Sequence, residues 1–145
     1  MLASLGAIFP KDQSRTNPIF AAILVLTAVK LLFAGLIPLA GDETLYWMYS
    51  RHLAPGFIDH PPMNPLMIRV GTTLFGQTPF GVRVFAVLTA LPATWAVWRA
   101  AGLLFKDQAL AASAALLFNL TTAMTVGSLA ATSDPMVILA SSFLL

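Results

Sequence analysis

A bundle of membrane-spanning helices, all-α and integral to the bilayer, is the fold class this sequence predicts, and three observations predict it. Hydrophobic residues make up 58% of the chain and charged residues only 10%, with a mean hydropathy of +0.82. Those values lie well outside the range of a soluble domain. The apolar residues also fall into runs close to the ~20 residues that a bilayer core requires. Finally, the titratable residues gather between those runs. Residues 41–65 alone hold Asp42, Glu43 and Asp59, three of the six acidic residues, and both histidines, His52 and His60.

In chain order, residues 19–40 form the first expected span. A secretory signal is the rival reading, but the apolar run exceeds the roughly 7–15 residues of a signal core. Lys30 falls near its middle, where a lysine costs on the order of 3 kcal/mol on insertion scales, so it should face a protein interior. A structural contact with a polar group on a later helix is the favoured reading. Residues 41–81 form a loop on the external side. Within it, residues 44–53 carry Leu45, Met48, Tyr49 and Leu53 on one side, and residues 65–75 carry Leu66, Val70 and Leu74 at four-residue spacing. Both read as short interfacial helices, joined through the Pro55-Gly56 turn and the Pro61-Pro62 break. Tyr46, Trp47 and Tyr49 suit headgroup depth.

Residues 82–105 form a second span with Pro92 as a kink, and Lys106-Asp107 makes a tight turn. Residues 109–132 read as a third span, and the Asn119-Leu120-Thr121 sequon inside it is discarded because a site within the bilayer is not glycosylated. Ser133-Asp134-Pro135 opens a fourth apolar run, residues 136–145, about half the ~20 residues needed to cross. The whole therefore reads as one partial transmembrane domain, the amino-terminal part of a longer membrane protein.

Lys11, Arg15, Arg99 and Lys106 place the amino terminus in the cytoplasm by the positive-inside rule. Arg51, Arg69 and Arg83 fall on the other side and so ask for a functional reason. With three crossings, the Asp42 loop and the Asp134 turn emerge on one non-cytoplasmic face. A net charge of +2 without any basic stripe argues against nucleic acid as a partner. The chain has no cysteine, hence no disulfide and no thiolate metal cluster.

Two readings of the acidic residues stand side by side. Asp42 can be a helix N-cap, with Glu43 favoured by the positive helix end, and Asp134 before Pro135 is an ordinary helix start. Alternatively, these carboxylates rim a lipid-facing cleft and accept protons there. Asp59-His60-Pro61-Pro62 fixes a direction for its Asp-His pair. Carboxylates and imidazole suit a divalent cation, although the spacing matches no closed zinc pattern. No GxxxxGK, GxSxG or HExxH string is present.

Gly41-Asp42-Glu43, the aromatic-rich Tyr46-Trp47-Met48-Tyr49-Ser50-Arg51-His52 and Phe57-Ile58-Asp59-His60-Pro61-Pro62-Met63 together resemble the first external loop of the protein mannosyltransferase and aminoarabinose transferase superfamily. These are GT-C glycosyltransferases of family 39. Thr132-Ser133-Asp134-Pro135 resembles the second acidic turn of its bacterial members. The resemblance implies an inner-membrane enzyme. It would move a sugar, with inversion, from a polyprenyl-phosphate carrier to a lipid, glycan or protein acceptor on the external face. It also implies that Asp42 is the catalytic carboxylate, supported by Glu43, Asp59 and Asp134. A phosphate is a good leaving group, so cations suffice to hold its charge, and Arg51, His60, Arg69 and Arg83 are the candidates. A glycosidase, by contrast, needs paired carboxylates. Met63 stands where the family usually has leucine. The lysine that mannosyltransferases place shortly after His-Pro-Pro is missing, with Asn64-Pro65-Leu66 there instead. A transporter or flippase for lipid-linked sugars, using Lys30 to move charge, and a non-catalytic membrane subunit are the alternatives.

Overall fold

The structure, a computed structural model, describes residues 13–57 and 60–144. Lys11, Asp12 and Asp59 lie outside the described residues, as does the side chain of Arg15. The described residues are helical, with no strand among them. The elements are α1 (Gln13–Leu36), α2 (Gly41–Arg51), α3 (Met63–Phe75), α4 (Pro79–Leu88), α5 (Ala90–Phe105), α6 (Gln108–Leu120), a π-helical turn (Ala123–Gly127) and α7 (Asp134–Ser142).

Among the described residues, two segments are long and apolar enough to cross a membrane, Asn17–Leu36 and Pro79–Phe105. On the first, Ile23, Thr27, Lys30 and Ala34 are buried, whereas Leu24, Val25, Leu32 and Leu36 are exposed. The buried set recurs at helical spacing and faces α4 and α6. The second combines α4 and α5, interrupted only at Thr89. Pro92 accounts for the break: it has no N–H to offer the carbonyl one turn earlier, and its ring crowds that carbonyl.

Lys106 ends α5 in the left-handed conformation, φ 53°, with its N–H on the Gly102 carbonyl. Asp107 then caps α6, its Oδ1 accepting from the amides of Ala109 and Leu110 at 2.8 and 3.1 Å. The two helices close on small residues, Ala93, Ala96, Ala101 and Gly102 facing Ala111, Ala112 and Ala115, which lets backbones approach within lipid. Asn119 of the sequon is buried and donates to Thr94 Oγ1 at 2.7 Å and to the Ala115 carbonyl.

The run 109–132, read as one straight span, is divided. Helix α6 stops at Leu120, Thr121 is extended, the π-helical turn follows, and residues 128–133 leave helix altogether. Thirteen residues of α6 rise about 20 Å, short of the ~30 Å of a hydrocarbon core. Lys30 explains how the break is tolerated. Its ammonium, buried in α1, donates to the Met124 carbonyl and to Ser128 Oγ, the latter at 3.1 Å. A helix broken at membrane depth survives where protein groups satisfy the freed carbonyls, and Lys30 is the structural partner expected of it.

Helices α3 and α4 form an antiparallel pair across a turn at Gly76, whose φ of +79° suits glycine. The pair is very close, because a Cβ on Gly71 would lie 2.1 Å from the Gly81 carbonyl oxygen. On the outer side of α3, Met63, Leu66, Val70 and Leu74 are exposed, the apolar stripe expected of a helix lying against lipid. Of the aromatics of helix α2 expected at headgroup depth, Tyr46 faces the protein core, while Trp47 and Tyr49 stay partly exposed. Tyr46 is 3% exposed and packs with Ile68, Val82, Ala86 and Ala131 in the core, while Trp47 donates to Gln77 at 2.7 Å. Helix α2 lies against α3, and that contact draws Tyr46 inward.

Candidate functional site

The first turn of α2 separates two adjacent carboxylates that look alike in sequence. Ala40 is the N-cap residue, extended at φ −78° and ψ 167°. The amide of Ala40 donates to Glu43 Oε2 at 2.8 Å. Glu43 thus supplies the return arm of a capping box. Asp42 is not the cap; it stands exposed beside this turn.

Glu43 is turned inward and 1% exposed. Arg83, 3% exposed on α4, meets it in a two-pronged pair: Nε donates to Oε1 at 2.7 Å and Nη2 to Oε2 at 2.6 Å. The remaining donors of Arg83 close the end of α1, Nη1 reaching the carbonyls of Ala34 and Ile37 and Nη2 that of Pro38. A guanidinium has five N–H donors, and these five bonds use them all. Burial pushes the Glu43 carboxyl upward, but the Arg83 hydrogen bonds, those from the Ala131 and Ala40 amides, and the Arg83 charge together hold it below the ordinary glutamate range. Arg83, expected to bind donor phosphate, is therefore committed to the fold. The sequence anticipated a cation on this side of the chain; its partner is internal. Glu43, expected on the acidic rim, is likewise a structural anion.

The second oxygen bond of Glu43 has a longer reach. Its Oε1 accepts from the Ala131 amide at 2.9 Å, and Asn64 Nδ2 on α3 donates to the carbonyl of the same residue at 2.9 Å. Ala131 lies in the non-helical stretch that leads into Thr132, Ser133 and Asp134. Its two backbone polar groups are thus gripped by α2 on one side and α3 on the other.

This grip sets the walls of a cavity of ≈ 260 Å³ lined by Asp42, Leu45, Tyr46, His60, Thr132, Ser133 and Asp134. Asp42 and Leu45 come from the start of α2, His60 from the loop before α3, and Asp134 from the start of α7. Tyr46 Oη lies 3.4 Å from Ser133 Oγ, and its ring meets that of His60 edge to face, centroids 4.8 Å apart. Two carboxylates, an imidazole and three hydroxyls converge there. Such a lining can accept hydrogen bonds from the hydroxyls of a sugar or acceptor and can take up a proton.

Three of the expected site residues, Asp42, His60 and Asp134, share this cavity. Arg51 does not line it: it sits at the other end of α2, about 14 Å from Asp42 by helical rise, its guanidinium 5.3 Å from the centre of the Trp47 ring. Arg69 is exposed on α3, outside the cavity lining. Asn64 was missed as a contributor. Its one sequence signal was the substitution of asparagine where the resemblance expects a basic residue nearby. Among the described residues, no group of three or more His, Asp or Glu side chains converges as a metal ion would require.

No curated protein and no solved structure matches the chain. The family model for dolichyl-phosphate-mannose-protein mannosyltransferases matches residues 59–145, more than half of the chain. That stretch contains His60, Arg83 and Asp134, together with the Asn64–Ala131 contact and the segment Pro79–Phe105, which is long and apolar enough to cross a membrane. The chain belongs to the dolichyl-phosphate-mannose-protein mannosyltransferase family, whose members are membrane glycosyltransferases of the GT-C type.

Proposed function

We propose that the chain contributes the acceptor side of an inverting glycosyl transfer, from a polyprenyl-phosphate-linked sugar to a lipid, glycan or protein acceptor at the external face of the inner membrane. One observation carries the reading: Asp42 and Asp134, distant in sequence, line one cavity with His60. In the proposed step the acceptor oxygen attacks the anomeric carbon. The bond from that carbon to the carrier's phosphate oxygen breaks, and its electron pair leaves with the polyprenyl phosphate. The acceptor proton passes to Asp42. A single displacement inverts the anomeric centre, and the leaving phosphate needs no proton, so one base is enough. His60 is the cavity residue suited to hold the departing charge, and Asp134 orients acceptor or sugar hydroxyls.

Asp42→Asn keeps the size of the side chain and removes its basicity. Transfer from a polyprenyl-phosphate sugar, assayed in membranes carrying the full protein, is expected to fall by roughly 10²–10⁴-fold, the range of general base catalysis. Turnover equal to the parent would remove Asp42 from the mechanism. Partial retention confined to an acceptor that is itself a phosphate would make Asp42 an orienting group, because such an acceptor has no proton to lose. The transporter alternative drew on a mobile charge at Lys30, and that ammonium is bound to the Met124 carbonyl and Ser128, which favours the enzyme.

A further inference from the structure

We infer that Asn64 is a positioning residue for the proposed transfer, acting through the Ala131 peptide to hold Asp134 opposite Asp42. The inference rests on the functional reading above.

The three walls of the cavity belong to three separate pieces of chain. Helix α2, which carries Asp42, and α3, which follows His60, pack directly against each other. The third wall, Thr132 to Asp134, is different. It is reached through residues 128–133, where turn bonds to the Val126 carbonyl end at Ala130 and Ala131 turns to side-chain partners. Beside the packing of Ala131 in the core, a segment of that kind depends on the partners its backbone finds. At Ala131 both backbone groups find side chains, Glu43 for the N–H and Asn64 for the C=O. Asp134 is three residues further on.

Of the two grips, that of Asn64 is the more specialised. Glu43 also joins Arg83 and caps α2, so its loss disturbs much besides the cavity. Asn64 is 3% exposed, and its amide donates across the gap between α3 and the Asp134 turn. It also lies four positions after His60, so one short stretch of chain fixes two walls at once. Aspartate at this position would present acceptors to a carbonyl that needs a donor. Leucine would fill the volume but leave the carbonyl unpaired.

A buried asparagine can also serve stability alone, so the test needs readouts that stability does not move. The chain itself has no cysteine, so once any cysteine elsewhere in the full protein is replaced by serine, Thr44→Cys and Val137→Cys can be spin-labelled without background; Thr44 and Val137 are exposed and lie outside the cavity lining. In the full protein reconstituted in lipid vesicles, the distance distribution between the labels is expected to be narrow, and to broaden or shift in Asn64→Leu and Asn64→Asp. In the unlabelled protein, both variants should lose turnover about 10–100-fold, the scale of a displacement near 1 Å in a reacting geometry, with a much smaller change in KM for the lipid-linked donor. In an Asp134→Ala background, Asn64→Leu should cost little more, because the group it positions is gone.

An unchanged distance distribution in both variants overturns the inference, as does full multiplicative loss on top of Asp134→Ala. Should the parent protein transfer no sugar from any polyprenyl phosphate, the functional reading fails. The distance measurement still decides whether Asn64 holds the turn.

Discussion

Arg83→Met is expected to destabilise the protein by about 3–5 kcal/mol, the usual cost of leaving one member of a buried ion pair without the other. The loss has two parts. Glu43, 1% exposed, keeps its place in the core but loses both guanidinium bonds. The carbonyls of Ala34, Ile37 and Pro38, which close the end of α1, lose their donor as well. Unfolding by SDS in mixed micelles, followed by helix content, measures the change. Adding Glu43→Gln should recover part of the loss, since a neutral amide is cheaper to bury than a stranded carboxylate. A double variant no more stable than Arg83→Met would show that the charge is not what matters.

The same pair sets a pH dependence, and its sign follows from the net depression of the Glu43 carboxyl. A carboxyl held lower in the folded protein than in the unfolded chain contributes stability above its unfolded value. That contribution is lost as pH falls through the folded value. The parent should therefore weaken on the acid side of the ordinary glutamate range. In Arg83→Met, burial, the largest influence on this group, is opposed only by the amides of Ala131 and Ala40, so the acid-side dependence should flatten. A parent whose unfolding midpoint is constant across that range would contradict the assignment.

Reading the chain without its structure reached some of this and not the rest, and the division is physical. Asp42 and Asp134 were legible because each follows an apolar run and opens a helix, which bears on where the chain leaves the bilayer. Their meeting in one cavity is set by contacts no local pattern encodes, the grip of Glu43 and Asn64 on Ala131. Arg83 was not legible in the same way. An arginine near a helix start has the same local pattern whether it faces a ligand or a buried glutamate, and Glu43 is forty residues earlier. The division of residues 109–132 was hidden for a related reason. Hydropathy is continuous through Thr121 and Thr122, and the group that makes the break tolerable, Lys30, is on another helix. The residue type of Tyr46 suits headgroup depth, but it does not reveal that the ring turns inward onto Ile68 and Val82. Asn64 shows the limit most plainly, because its role depends on a single backbone carbonyl whose position no local pattern encodes.

Gly71→Ala is the second substitution with a large expected effect, and it adds only one methyl group. That methyl would sit 2.1 Å from the Gly81 carbonyl oxygen and 3.2 Å from Val84 Cγ1. A backbone oxygen cannot rotate away as a side chain can, so α3 and α4 must part. Overpacking of this kind costs about 1–3 kcal/mol and can cost more when backbone must move. Gly35→Ala is the matched control. Its new Cβ would meet Phe80 at 3.7 Å, an ordinary contact, in the last turn of α1, and alanine is favoured over glycine in helices by up to ~1 kcal/mol. The same chemical change should therefore lower the SDS unfolding midpoint at position 71 and leave it unchanged or raised at position 35. The consequence for the cavity follows from which helix moves. Helix α3 carries Asn64 and is entered through His60, so separating it from α4 pulls on the grip at Ala131 and on one cavity wall together. Gly71→Ala should lose transfer activity even at temperatures where it remains folded. Normal stability in that variant would mean that the two helices are not in contact at this glycine pair, and the placement of Asn64 would have to be reconsidered with them.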